Sequence, residues 1–122
     1  MTHLFARGGV LTARPGVAKA GHLFGGPYLK LEPGHYRVDF SLRGIGAPGQ
    51  GQFGFLEVYD FASNTFRARQ ELQEAEVPPT DGFVRHSLEF DIPPGDNKTE
   101  LRVWWSGNGA VEAGQIALTR TA

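Results

Sequence analysis

The sequence predicts an all-β chain, an antiparallel β-sandwich of the jelly-roll type, and three observations predict it. Apolar and polar residues alternate with period two in several segments, the pattern of strands with one buried and one solvated face. Seventeen glycines and eight prolines interrupt the 122 residues at short intervals, as turns between short strands require. No stretch carries the three-to-four-residue apolar spacing of an amphipathic helix.

The elements follow in order. Residues 1–21 are weakly patterned; Leu4-Phe5, Val10-Leu11 and Leu23-Phe24 predict two or three short N-terminal strands. Pro27-Tyr-Leu-Lys-Leu31 reads as a strand, and a turn at Glu32-Pro-Gly-His35 predicts a hairpin into Tyr36–Arg43. In that strand Tyr36, Val38, Phe40 and Leu42 share one face; Arg37, Asp39, Ser41 and Arg43 share the other. After a loop at Ile45–Gln52, Gln52–Phe61 forms a long aromatic strand. Its turn at Ala62–Thr65 leads into Phe66–Leu72, where Phe66, Ala68, Gln70 and Leu72 oppose Arg67, Arg69 and Glu71. Propensity alone would make Arg67–Glu76 helical, but alternation and the preceding turn favour a strand. Phe83–Ile92 turns Val84, Leu88, Phe90 and Ile92 inward, with His86 on the same face. Thr99–Trp105, a loop at Ser106–Gly109 and a strand near Gly114–Thr119 complete about eight or nine strands, which pack best as two sheets in a single domain over 1–122. The expected core is Tyr36, Val38, Phe40, Leu56, Val58, Leu88, Phe90, Leu101, Val103, Ile116 and Leu118.

Composition excludes several functions. No apolar run approaches the roughly 20 residues that span a bilayer, so no membrane span is expected. The net charge is -1 and the basic residues are scattered singly, so no nucleic-acid partner is expected. There is no cysteine, which excludes disulfides and thiolate metal sites. The opening Met1–Arg7 has no signal-peptide pattern; with the missing cysteines this favours a cytoplasmic location. No Gly-x-Ser-x-Gly elbow or phosphate-binding loop is present, so the chain reads as non-enzymatic. His3, His22, His35 and His86 lack metal-ligand spacing, and His86 reads as a packed histidine; no metal and no cofactor are expected.

What remains suits recognition. If Leu101, Val103 and Trp105 are core, Trp104 and Arg102 lie on the opposite face, and an exposed Trp beside an Arg asks for a partner. Glu57 with Tyr59, Arg37 through Arg43, and Phe83 with Arg85 and Ser87 form further polar and aromatic rows. On one sheet these rows would make a groove. Sugars offer C–H faces to aromatic rings and hydroxyls to Arg, Asp, Asn and Gln. The candidate ligand-binding residues are therefore Trp104, Tyr59, Arg102, Arg85, Arg43 and Asn108. Each has a plainer role: Trp104 as the core residue with Trp105 exposed, or both tryptophans packed under loops; the tyrosine as a packing residue, the arginines as cross-strand partners of acids, and Asn108 as a left-handed turn former.

The run Gly26-Pro-Tyr-Leu-Lys-Leu-Glu-Pro-Gly-His-Tyr-Arg-Val-Asp-Phe40 resembles the opening of small β-sandwich domains attached to bacterial glycosyltransferases and surface-polysaccharide proteins. Leu56–Asp60, Leu101–Gly107 and Gln115–Thr119 are similar to the same group, which resembles jelly-roll carbohydrate-binding modules. The resemblance implies a lectin-like, non-catalytic domain binding a bacterial polysaccharide or glycan. Calcium often sits in such modules, but their N-terminal acidic ligands are not recognisable here, the first acidic residue being Glu32. The alternative is a structural domain whose aromatic face packs against a partner, as a homo-oligomer or within a larger host protein.

Overall fold

The computed structural model describes residues 2–5, 11–15, 19–25, 28–46 and 51–121. Nine strands run through them: β1 (Thr2–Phe5), β2 (Leu11–Ala13), β3 (Gly21–Gly25), β4 (Gly34–Gly44), β5 (Gln52–Asp60), β6 (Thr65–Gln73), β7 (Val84–Ile92), β8 (Thr99–Trp105) and β9 (Val111–Arg120). One sheet has the order β1-β9-β4-β7, with β2 also paired to β9; the other has the order β3-β8-β5-β6. Every pairing is antiparallel. From β3 onward the chain changes sheet at each connection except the β5–β6 hairpin, giving the jelly-roll sandwich. The stretch read as strand to Glu76 leaves it at Gln73 and closes in a 3-10 turn, Glu74–Glu76.

Alternation dictates what fills the space between the sheets. The expected core residues are all 7% exposed or less, and Phe53, Leu72, Trp105 and Val111 join them. Tyr36 and Phe90, opposite one another on β4 and β7, stack at 5.5 Å between ring centroids. Cross-strand ring pairs of this kind stabilise a sheet beyond the area that they bury. The Trp105 indole N–H is satisfied at the end of the core by the Gly109 carbonyl at 3.2 Å.

Three local expectations are corrected. The segment around Leu29 forms no hairpin with β4. Leu29 instead exchanges two backbone hydrogen bonds of 2.8 Å with Thr99, and the buried Asn97 side chain bonds both the N–H and the carbonyl of Leu31. The asparagine thus supplies the partner that a hairpin strand would have supplied. Phe66 does not share a face with Ala68. Ala68 pairs with Val58 but Phe66 with Tyr59, so Arg67 is an extra residue in a bulge that flips the parity and turns Phe66 outward, 47% exposed. Asn108 is not the left-handed residue of its loop, because Gly107 (φ 90°) and Gly109 (φ 76°) take those positions.

Candidate functional site

The outer face of the β3-β8-β5-β6 sheet carries the site. Burying Leu101, Val103 and Trp105 forces Arg102 and Trp104 outward on β8, and burying Leu56 and Val58 forces Phe55, Glu57 and Tyr59 outward on β5. Register then sets the neighbours. Trp104 lies opposite His22 and Phe55; Glu57 lies opposite Arg102 on one side and Arg69 on the other. Gly54 makes this approach possible. A Cβ there would fall 1.8 Å from the Trp104 carbonyl oxygen, so any side chain would push β5 off β8 at the tryptophan. With glycine in place, the Phe55 and Trp104 rings stand 6.0 Å apart at 53°.

These side chains wall a cleft of about 350 Å³, with Glu57 at its base and Trp104, Phe55, Gln52, His22 and the two arginines around it. That volume lies at the small end of ligand pockets. Glu57 is only 4% exposed and organises the set. Its Oε1 lies 3.1 Å from His22 Nε2 and 3.2 Å from an Arg102 amine, and its Oε2 accepts from Arg69 Nε at 3.2 Å. A buried carboxylate needs such partners to remain charged. Arg69 also sits over Phe55, its Cζ 3.7 Å from the ring centroid, so one face of that ring is occupied by the protein's own cation.

The aromatic stripe continues along β5. Arg102 stands 4.8 Å over Tyr59, which meets Phe61 and Phe66 edge-on at 4.8 Å and 4.9 Å. Phe61 in turn meets the exposed Tyr28 at 5.3 Å, and Lys98 caps Tyr28 at 4.3 Å. Buried Asp60 anchors this end. It accepts from the Ala62 and Lys98 N–H groups and from Arg67. Burial opposes its ionisation, but these bonds prevail and hold the carboxyl at about 2.

Of the residues singled out in the sequence, Trp104 and Arg102 line the cleft, and Tyr59 lies one row beyond, packed under Arg102. Asn108 is not on the lining; its amide donates to the backbone carbonyl of the lining residue Gln52. Arg43 and Arg85 are elsewhere, on the outer face of the β4–β7 pair, so the rows expected to form one groove are divided between opposite faces of the sandwich. Alternation fixes a residue's face within its strand; the crossovers decide the sheet. Arg43 bonds Glu112 and the Asp81 carbonyl beside a separate hollow of about 300 Å³. His22, Phe55 and Arg69 escaped the sequence reading. The alternation of β6 marked Arg69 as opposite in face to Leu72, but only the register brings it to Glu57.

Two other histidines respond to their surroundings away from the cleft. Hydrogen bonds to Glu89 and Asp91, at 2.9 Å and 2.7 Å, raise the pKa of His35 on the opposite sheet. Burial lowers that of His86, which Glu76 only partly offsets.

No protein-family model matches the chain, and no curated protein sequence is significantly similar to it. Solved structures do match in shape. One is the C-terminal CBM6 of LamC, a marine laminarinase from Zobellia galactanivorans, with TM-score 0.61 and 11% identity over 98% of this chain and 100% of that one. Another is the carbohydrate-binding module CBM6cm-2 of Cellvibrio mixtus lichenase 5A in complex with cellotriose, with TM-score 0.51 and 9% identity over 98% of each chain. A third is the Clostridium thermocellum xylanase 10B fragment holding CBM22-1 and GH10 modules complexed with xylohexaose, with TM-score 0.54 and 14% identity over 99% of this chain and 25% of that one. The chain therefore shares its fold with the β-sandwiches of carbohydrate-binding modules.

Proposed function

We propose that this chain acts as a single non-catalytic domain that binds a bacterial polysaccharide or glycan in the cleft beside Trp104. The observation that carries the reading is the placement of a half-buried tryptophan next to a recessed Glu57–Arg69–Arg102 network, on an open sheet face. A sugar ring laid on the indole finds fixed polar groups below its edge, the combination that aromatic stacking and hydroxyl recognition need. The shared fold with carbohydrate-binding modules, two of them solved with cellotriose or xylohexaose, supports the same reading. Catalysis is not part of it. Glu57 is tied to two arginines and a histidine, so its oxygens are engaged within the protein and not open to a reacting group.

Hydroxyls bond well to water, so each direct bond gains only about 1 kcal/mol and the affinity falls in the micromolar-to-millimolar range, roughly -4 to -8 kcal/mol. Calorimetric titration across a polysaccharide and oligosaccharide panel tests this. Trp104→Ala is expected to abolish binding with little change in melting temperature, and EDTA is expected to leave binding intact. The exposed Phe66 and Tyr28 favour a second reading, packing against a partner protein. On that reading no glycan binds, and Trp104→Ala moves a sedimenting oligomer toward monomer.

A further inference from the structure

The hydrogen-bonding inventory of the cleft is lopsided. Glu57 spends its acceptors within the protein: Oε1 faces His22 and Arg102, Oε2 faces Arg69, and its side chain is 5% exposed. Glu100 is recessed too, at 13% exposure, beside Arg102 Nε. Arg69, by contrast, is 44% exposed and uses only its Nε on Glu57; its two terminal amines make no hydrogen bond to the described residues. The Trp104 indole N–H makes none either. His22, 41% exposed, gives one nitrogen to Glu57, and its other accepts when the ring is neutral and donates when it is protonated. Among the described lining residues, the side-chain acceptors left open are the Gln52 carboxamide oxygen and, when its ring is neutral, the second His22 nitrogen; the Gln52 amide donates to Glu71, which faces outward beside Phe55 at the rim, off the cleft lining. A ligand therefore meets mostly donors.

Acceptor-only groups match such a surface, and a guanidinium whose plane is fixed matches an oxyanion best. Arg69 is held at two points, its Cζ 3.7 Å from the Phe55 ring centroid and its Nε on Glu57 at 3.2 Å, which restrain the guanidinium and leave its terminal amines outward of that bond. With Glu71 at the rim, the carboxylates Glu57, Glu100 and Glu71 outnumber the guanidiniums of Arg69 and Arg102, so selection arises from which groups stay exposed and unpaired, not from a long-range field. Resting on the glycan-binding reading above, we propose that the cleft selects acidic glycans, seating a sugar carboxylate on the terminal amines of Arg69 while a ring of the same chain stacks on Trp104.

The test is a set of uronate oligosaccharides (galacturonate, guluronate, mannuronate and glucuronate), each paired with its carboxyl-reduced form, titrated against the wild-type domain. Reduction turns each carboxylate into a primary alcohol and leaves the backbone otherwise the same. A charged hydrogen bond is stronger than a neutral one, so at least one acid form should bind about tenfold tighter than its reduced partner. Arg69→Gln should erase that difference, and Arg69→Lys, a point charge without the fork, should restore only part of it. The wild-type comparison stands even if Arg69→Gln loosens the sheet. Equal binding of acid and reduced forms, or binding of neutral glycans alone, overturns the acidic preference and leaves glycan binding in place. No binding by any acidic, reduced or neutral glycan overturns both.

Discussion

Replacing Glu57 by glutamine should cost about 3–4 kcal/mol of folding stability. The carboxylate is 4% exposed, and its most buried partner is Arg102, whose side chain is 13% exposed. Breaking a buried ion pair from one side costs roughly 3–5 kcal/mol, because the remaining charge is left without a partner. Arg69 and His22, at 44% and 41% exposure, are partly solvated and add less than about 1 kcal/mol each. Glutamine preserves the shape, and its one oxygen can still accept from one arginine. Its amide then points a donor at the other, so the substitution loses more than charge. The arginine contact that the remaining oxygen keeps offsets part of this and places the expectation in the lower half of the range. Urea denaturation followed by tryptophan fluorescence reads the effect as a lower midpoint at unchanged slope. Glu71→Gln, on an exposed residue of the same sheet, is the control and should stay within about 0.5 kcal/mol of wild type. If Glu57→Gln loses less than about 1 kcal/mol, the carboxylate does not organise the face as argued, and the arginines are held by packing alone.

Other perturbations separate the core from the charged turn. Phe40→Ala empties a fully buried position at the centre of β4 and should cost about 3–5 kcal/mol, measured by the same denaturation; an unchanged melting point would contradict the assigned core face. Asp60 is held at about 2 against an ordinary 3.8, so it stabilises the fold above pH 3.8, and that contribution is lost as pH falls toward 2. The difference is worth about 2 kcal/mol. Asp60→Asn should be less stable at neutral pH and show a flatter acid limb below pH 4; an acid limb as steep as wild type would assign that dependence to other groups.

The fold was written in local terms and could be read as such. Leu101-Arg-Val-Trp-Trp105 alternates so that its two tryptophans fall on opposite faces; which of them is buried was open in the sequence, and the structure buries Trp105 with Leu101 and Val103. For Tyr36–Leu42 and Leu88–Ile92 the buried face follows from the strand alone. Sheet membership was not legible, because a strand's alternation is the same whichever sheet it joins; Arg37–Arg43 and Arg85 accordingly ended on the face opposite Trp104. The bulge at Arg67 was hidden for a related reason: one extra residue inverts the parity after it, and the pairing of Arg67 with buried Asp60 is a contact between strands that alternation does not report. The site was half legible. Arg102 and, once Trp105 is known to be buried, Trp104 follow from alternation, whereas Arg69 and His22 reach the cleft through register with strands distant in sequence, and His22 directly follows the weakly patterned residues 1–21.

Residue-resolved chemical-shift mapping tests the central claim most directly. Once the panel yields a ligand, its titration into labelled domain should shift the amides of Phe55, Glu57, Arg69 and Trp104 and the Trp104 indole N–H, with the opposite sheet unmoved. Shifts confined to the hollow at Arg43, Thr80 and Asp81, with Trp104 unchanged at saturation, would place the binding surface elsewhere and contradict the account.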